Sequence, residues 1–223
     1  MTAKSDVWLM WLSVALAVLA VIGYAFLPNM VHELAKEDAV LESLSALFFF
    51  VSSALLFWAS FTKYRRNIWI WGLAALFFVV AGEEISWGQR ILGIATPADV
   101  ASVNVQGEMN LHNHEALHGI IRAMALLFIW GLFIAIPVAT LNSTTARWID
   151  YFSLPVAPWS AAVMILIATA FMVVPRLHGE IIFTLDEIGE AFISLAALTL
   201  SIHIWLGAAR NQRSAVFSVQ NER

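Results

Sequence analysis

Six stretches of nearly continuous apolar residues, each about as long as a bilayer is thick, leave this chain few ways to fold. They run Val7 to Leu27, Ala39 to Phe61, Ile68 to Glu84, Gly119 to Leu141, Ala157 to Val174 and Gly189 to Ala209. A hydrocarbon core of about 30 Å takes roughly 20 helical residues, and backbone polar groups in lipid must bond within their own segment. The runs show no two-residue alternation, which excludes a membrane barrel. A chain that is 61% hydrophobic and 13% charged also has more apolar surface than one soluble core can hide. The sequence therefore predicts an all-α integral membrane bundle of six transmembrane helices, a single membrane domain over residues 1–223. The first run is too long for a signal peptide and has no small-residue cleavage site after it, so it is expected to stay as a permanent helix. The third run is short before its acids, and its helix is expected to continue through Ser86 and Arg90. With no cysteine in the chain, disulfides and thiolate metal sites are excluded.

Charge sets the orientation. Lys4, Lys63, Arg65, Arg66, Arg147, Arg210, Arg213 and Arg223 fall on the side of the termini, against Lys36, Arg90, Arg122 and Arg176 opposite. The positive-inside rule then makes both termini cytoplasmic. Trp8, Trp58, Trp69, Trp71, Trp148, Trp159 and Trp205 cluster near the same ends, as an interfacial belt would. The acids are skewed the other way. Glu33, Glu37, Asp38, Glu42, Glu83, Glu84, Asp99, Glu108, Glu115, Glu180, Asp186, Glu187 and Glu190 face out, with His32, His112, His114, His118 and His178. Acidic outer loops are in part the mirror image of positive-inside. Carboxylates at the hydrocarbon boundary nevertheless need protons, hydrogen bonds or a cation to offset the loss of water.

Helical spacing separates faces. Glu42, Ser45, Phe49 and Ser52 form one stripe, and Glu187, Glu190, Ser194, Ala197 and Ser201 another. Gly72, Ala75, Val79 and Gly82 or Glu83 form a narrow strip for close helix approach in the third run. The connection from Leu92 to His118 is dense in Asn, Gln, Glu and His, and is expected to fold back over the bundle as a lid carrying Asn104, Gln106, Glu108, Asn110, His112 and Asn113. The plainer reading is that these groups cap helices and satisfy backbone at the membrane surface.

The stretch GEEISWGQRILG at Gly82 to Gly93, followed by NVQGEMNLHN at Asn104 to Asn113, resembles the signature of a family of uncharacterised bacterial multi-pass membrane proteins. The acidic entries KEDAVLESLSA and LDEIGEAF belong to the same resemblance. It implies important positions at Glu83, Glu84, Trp87, Gly88, Gln89, Arg90, Asn104, Gln106, Glu108, Asn110, His112 and Asn113, and no particular reaction. Just outside it, His114-Glu115-Ala116-Leu117-His118 spells HExxH, which on a helix can hold zinc with the glutamate as base. Here the pentapeptide is expected in the first turn of the fourth membrane helix, whose partial positive charge favours Glu115 over a cation. A zincin would further need a third ligand such as Glu187, Glu190 or His178.

The function expected from these residues is that of a metal-dependent hydrolase or transferase at the outer interface, acting on a lipid or other amphiphile. Glu83, Glu84, Gln89, Arg90 and Glu108 are its expected catalytic groups. Its expected ligands to a divalent metal are Glu42, Glu83, Glu108, His112, Glu187 and Glu190, with His114, Glu115 and His118 as the alternative set. The bilayer is the expected surrounding partner, and nucleic acid is not. Two other classes stay open: a proton- or cation-coupled carrier, with His203 in the last run, and a non-catalytic scaffold.

Overall fold

A computed structural model describes residues 2–36, 39–62, 64–89, 92–104, 107–111, 114, 116–179 and 182–221, excluding the side chains of 118 and 210–221. Among these residues the regular elements are helices: α1 (Ala3–Phe26), α2 (Pro28–Leu34), α3 (Val40–Ser60), α4 (Ile68–Glu84), α5 (Ala98–Ala101), α6 (His118–Trp130), α7 (Ile136–Ala139), α8 (Ser143–Tyr151), α9 (Trp159–Leu177) and α10 (Phe183–Asn221). Five helical stretches, 3–26, 40–60, 119–139, 159–177 and 183–209, are long and apolar enough to cross a membrane. The sixth apolar run is α4, whose 17 residues extend only about 25 Å at the helical rise.

Packing runs in a row. Helix α3 packs against α4 and α10, α10 also against α9, and α9 also against α1. The core where they meet is built from Phe49, Leu56, Ile70, Phe77, Met164, Ile165 and Leu200. Small residues bring the backbones close. A Cβ built on Gly189 of α10 would lie 2.4 Å from Met172 Cγ and 3.1 Å from the Ala168 carbonyl of α9. Around that crossing Phe171 and Phe192 stack with ring centroids 6.1 Å apart.

Helix α9 borrows its cap. Pro158 precedes it and has no side-chain acceptor to offer, so Asp6 of α1 accepts hydrogen bonds from Trp159 N at 3.2 Å and Ser160 N at 3.1 Å. These are two of the amides a helix start leaves without partners. Asp6→Ala is expected to cost about 1 kcal/mol, in the range of N-cap deletions, measured as a lower midpoint for unfolding in detergent, while Asp6→Asn recovers part of the loss.

Between α6 and α7 the chain makes a π-helical turn, Gly131–Ala135. Pro137 follows directly and has no N–H to donate into the helical ladder; a wider turn is the usual accommodation. The turn keeps Leu132 and Phe133 buried, and Trp130 Nε1 donates to Thr169 Oγ1 of α9 at 3.1 Å.

Three expectations are corrected. The helix of the third run stops at Glu84 and does not continue through Ser86, because Ser86, Trp87 and Gly88 follow with φ of 46°, 56° and 76°. Three successive left-handed residues cannot extend a right-handed helix. The face of α4 that is buried carries Ile70, Leu73, Ala74, Phe77 and Ala81, whereas Gly72, Ala75 and Val79 are exposed. Large side chains drive that packing, and the small strip faces outward. Finally, α6 begins at His118 with Leu117 as its cap residue, so His114, Ala116 and Leu117 precede the helix and do not form its first turn.

Candidate functional site

Two acids end α4, where the helix dipole makes negative charge unfavourable. Glu83 is compensated by hydrogen bonds. Its Oε2 accepts from Leu111 N at 2.6 Å and its Oε1 from Trp87 Nε1 at 2.7 Å. The indole reaches it because the left-handed turn Ser86–Gly88 folds the chain back over the helix end, laying the Trp87 ring across Gly82. A Cβ on Gly82 would come within 2.8 Å of that ring. This accounts for the order Gly-Glu-Glu-x-Ser-Trp in terms of packing.

Beneath the turn lies a buried polar cluster. Ser86 Oγ donates to Glu108 Oε2, Asn110 Nδ2 donates to the same oxygen at 3.0 Å, and both Ser86 and Glu108 are buried. Asn104 Nδ2 donates to Asn110 O at 3.0 Å and to Asn110 Oδ1 at 2.9 Å, while Asn104 Oδ1 accepts from Glu108 N at 3.1 Å. Gln89 Oε1 accepts from Met109 N at 2.8 Å, and Gln89 Nε2 donates to Thr96 Oγ1. The described residues of the connection after α4 are thereby fastened to the helix end. Glu83, Gln89 and Glu108, expected as catalytic groups, spend these oxygens and amides on the fastening. Buried networks of this kind are costly when half made and rigid when complete.

Glu84 belongs to a different environment. It is half-buried, and Glu190, Glu187, Glu42 and Glu83 are the acids near enough to act on it. These come from α10, α3 and α4, whose acidic ends share one end of the bundle. The expected stripes hold: Ser45, Phe49 and Ser52 are buried on α3, as are Ser194, Ala197 and Ser201 on α10, with Ser194 Oγ 3.4 Å from Ser45 Oγ. Glu42, Glu187 and Glu190 lie half-buried above those faces.

The neighbouring positive charge is partly engaged. Arg176 near the end of α9 grips Asp186 with Nη1 at 2.6 Å and Nη2 at 2.5 Å, and Arg122 Nη2 of α6 approaches the same carboxylate at 3.1 Å. Both guanidiniums also act on Glu190, Arg122 the more strongly. Arg122 thus pairs with an outer acid as its position implied, but the bidentate role of Asp186 was not singled out in the sequence. Its signal was present: two basic residues on the acidic side at the ends of apolar runs. His32 Nδ1 lies 3.1 Å from Thr184 Oγ1 and ties α2 to the start of α10.

Among the described residues no group of three or more His, Cys, Asp or Glu is arranged to hold a metal ion. Arg90, His112 and Glu115 lie outside the described residues, with Gln106 and Asn113. His114 sits in an isolated antiparallel bridge with Asn104, and its Nδ1 accepts from Ala116 N at 3.3 Å, so the pair spacing that HExxH needs on a helix is not formed. No known protein family, curated protein or solved structure matches the chain.

Proposed function

We propose that this chain is a six-span protein of a bacterial inner membrane with cytoplasmic termini, and that Glu84 is the working group of a carboxylate centre on its outer side. The centre comprises Glu84 with Glu42, Glu187 and Glu190, and it serves a hydrolase or transferase acting on a lipid or another amphiphile. The observation that carries this reading is the setting of Glu84, half-buried among acids of three helices while its neighbour Glu83 accepts from Leu111 N and Trp87 Nε1. Paired carboxylates in a partly dry site can accept and donate protons at a reacting ester or phosphoester. The Arg122–Asp186–Arg176 group beside Glu190 supplies fixed charge for an anionic headgroup.

The hydroxyl-bearing residues below the centre favour an enzyme over a carrier. Ser52, Thr199 and Ser201 each donate to a carbonyl of their own helix, and Ser53 donates to Ala74 O, so their protons are spent on backbone. A relay through the membrane needs groups that pass protons onward.

The test uses purified protein in lipid nanodiscs, with turnover of added membrane lipids followed by mass spectrometry and bound metals measured on the same samples. Glu84→Gln should lower turnover by about a hundredfold or more, the usual size of a general acid–base loss, with the fold kept. Unchanged turnover in Glu84→Gln, or no turnover by the native chain, defeats the reading. Stoichiometric metal lost in Glu42→Gln and Glu190→Gln would add a cation to the centre.

A further inference from the structure

The end of the bundle opposite the carboxylates contains a half-open cavity of about 740 Å³, within the roughly 300–1,000 Å³ of small-ligand pockets. One wall is the start of α4 with the residues before it, another the end of α8 with the turn that follows, and the floor is the face of α10 carrying His203 and Gly207.

The two walls are braced. Asn67 Nδ2 donates to Ser153 O at 2.8 Å, and Trp69 Nε1 donates to Phe152 O at 3.0 Å. Ser153 itself adopts φ of 52°, which turns the chain sharply at the rim. At Gly207 the floor lacks a side chain, which leaves the space beside the Tyr64 hydroxyl open. These features hold the cavity apart and keep it from collapsing into van der Waals contact.

The charges on the lining select a ligand. Arg66 stands on the α4 side and Asp150 on the α8 side; both are exposed, and among the described residues neither makes an ion pair. A purely anionic ligand would meet Asp150, and a purely cationic one would meet Arg66. A molecule with both charges satisfies both, and the aromatic residues Trp69 and Phe152 are on the lining, a residue type that attracts an ammonium. Arginine favours a phosphate at the anionic end. The cavity also lies among the tryptophans of this end, where Trp58 and Trp205 are 6.0 Å apart between centroids, at the level that headgroups occupy beside a bundle.

We infer that this cavity binds a zwitterion bearing a phosphate and an ammonium group, either as the headgroup of a lipid or as a free aminophosphate. It lies at the other end of the molecule from the carboxylate centre and does not depend on that centre's function.

The full chain in detergent is titrated with phosphatidylethanolamine and with phosphatidylglycerol, and retained lipid is read by native mass spectrometry. Phosphatidylethanolamine should be retained about tenfold more tightly, and Arg66→Gln and Asp150→Asn should each weaken it by about five- to tenfold, the scale of one partly exposed charge contact. Asp150→Asn should also erase the preference over phosphatidylglycerol, because only the ammonium gains from Asp150. Both positions are exposed, so the variants keep their helix content, and Lys36→Gln at the other end serves as a charge control that changes nothing. Competition by free phosphoethanolamine marks a soluble ligand, and its absence marks a lipid; both agree with the inference. Equal retention of the two lipids by the native chain, or retention unmoved by both variants, overturns it.

Discussion

Replacing Glu108 by alanine is expected to undock the connection between α4 and α6 at a cost of about 3 kcal/mol, the sum of two hydrogen bonds to a buried carboxylate. The substitution removes the acceptor shared by Ser86 Oγ and Asn110 Nδ2, and leaves these two buried groups only the bond from Asn110 Nδ2 to Ser86 Oγ at 3.2 Å. Asn104 keeps its bonds to the Glu108 backbone amide and to Asn110, which close the segment's own turn, while the attachment of that turn to Ser86 through the carboxylate is lost. The measurement is hydrogen exchange of the peptide covering 104–111, which should rise toward that of a free loop while α3, α9 and α10 keep their protection. Glu108→Gln retains one acceptor oxygen and should lose less than half as much. If exchange in this segment is the same in Glu108→Ala as in the native chain, the fastening is not what holds the connection down. The outcome also separates two roles for the signature acids, because a loop that opens with Glu84 chemistry intact assigns Glu108 to structure.

Gly189→Leu carries an effect of similar size at a different place. Even a methyl group there would approach Met172 Cγ to 2.4 Å and the Ala168 carbonyl to 3.1 Å. The Met172 side chain can swing aside; the carbonyl is fixed in α9. A leucine therefore has to push α10 from α9 along the interface that the stacked Phe171 and Phe192 occupy, and overpacking of this sort costs about 3 kcal/mol. The expected result is a lower thermal midpoint in detergent and loss of the Arg176–Asp186 pair, which bridges the same two helices on the acidic side. Gly189→Ala should fall between leucine and native. A leucine variant as stable as the native chain would mean that α9 and α10 are not held this closely.

The signature residues show how site and scaffold divide. GEEISWGQRILG and NVQGEMNLHN are singled out by their resemblance to a family signature, and the second lies in a connection dense in polar groups. Spacing alone gave Glu83 and Glu84 equal standing, since adjacent residues on a helix point about 100° apart and either could face the bundle. The structure separates them: Glu83 accepts hydrogen bonds from Leu111 N and Trp87 Nε1, while Glu84 lies half-buried near the acids of α3 and α10. Trp87 was visible as a member of the motif, but its reason was not. The reason lies in a left-handed turn that aims its ring back onto Gly82, and left-handed backbone at Ser and Trp has no propensity signal in sequence.

What the sequence determined by itself is the class of fold and the distribution of charge. Apolar runs of bilayer length admit only helices in lipid, and the acids and bases segregate to opposite ends along the chain. The stripes on α3 and α10 were legible as well, because 3.6-residue periodicity is a local property of one helix. Tertiary structure alone decided that α4 stops at Glu84, which face of it is buried, and that Asp186 takes both guanidiniums. It also decided that His114 falls before a helix and not within one. Each of these depends on how separate segments meet, through contacts between residues far apart in the chain, and no local pattern encodes such contacts.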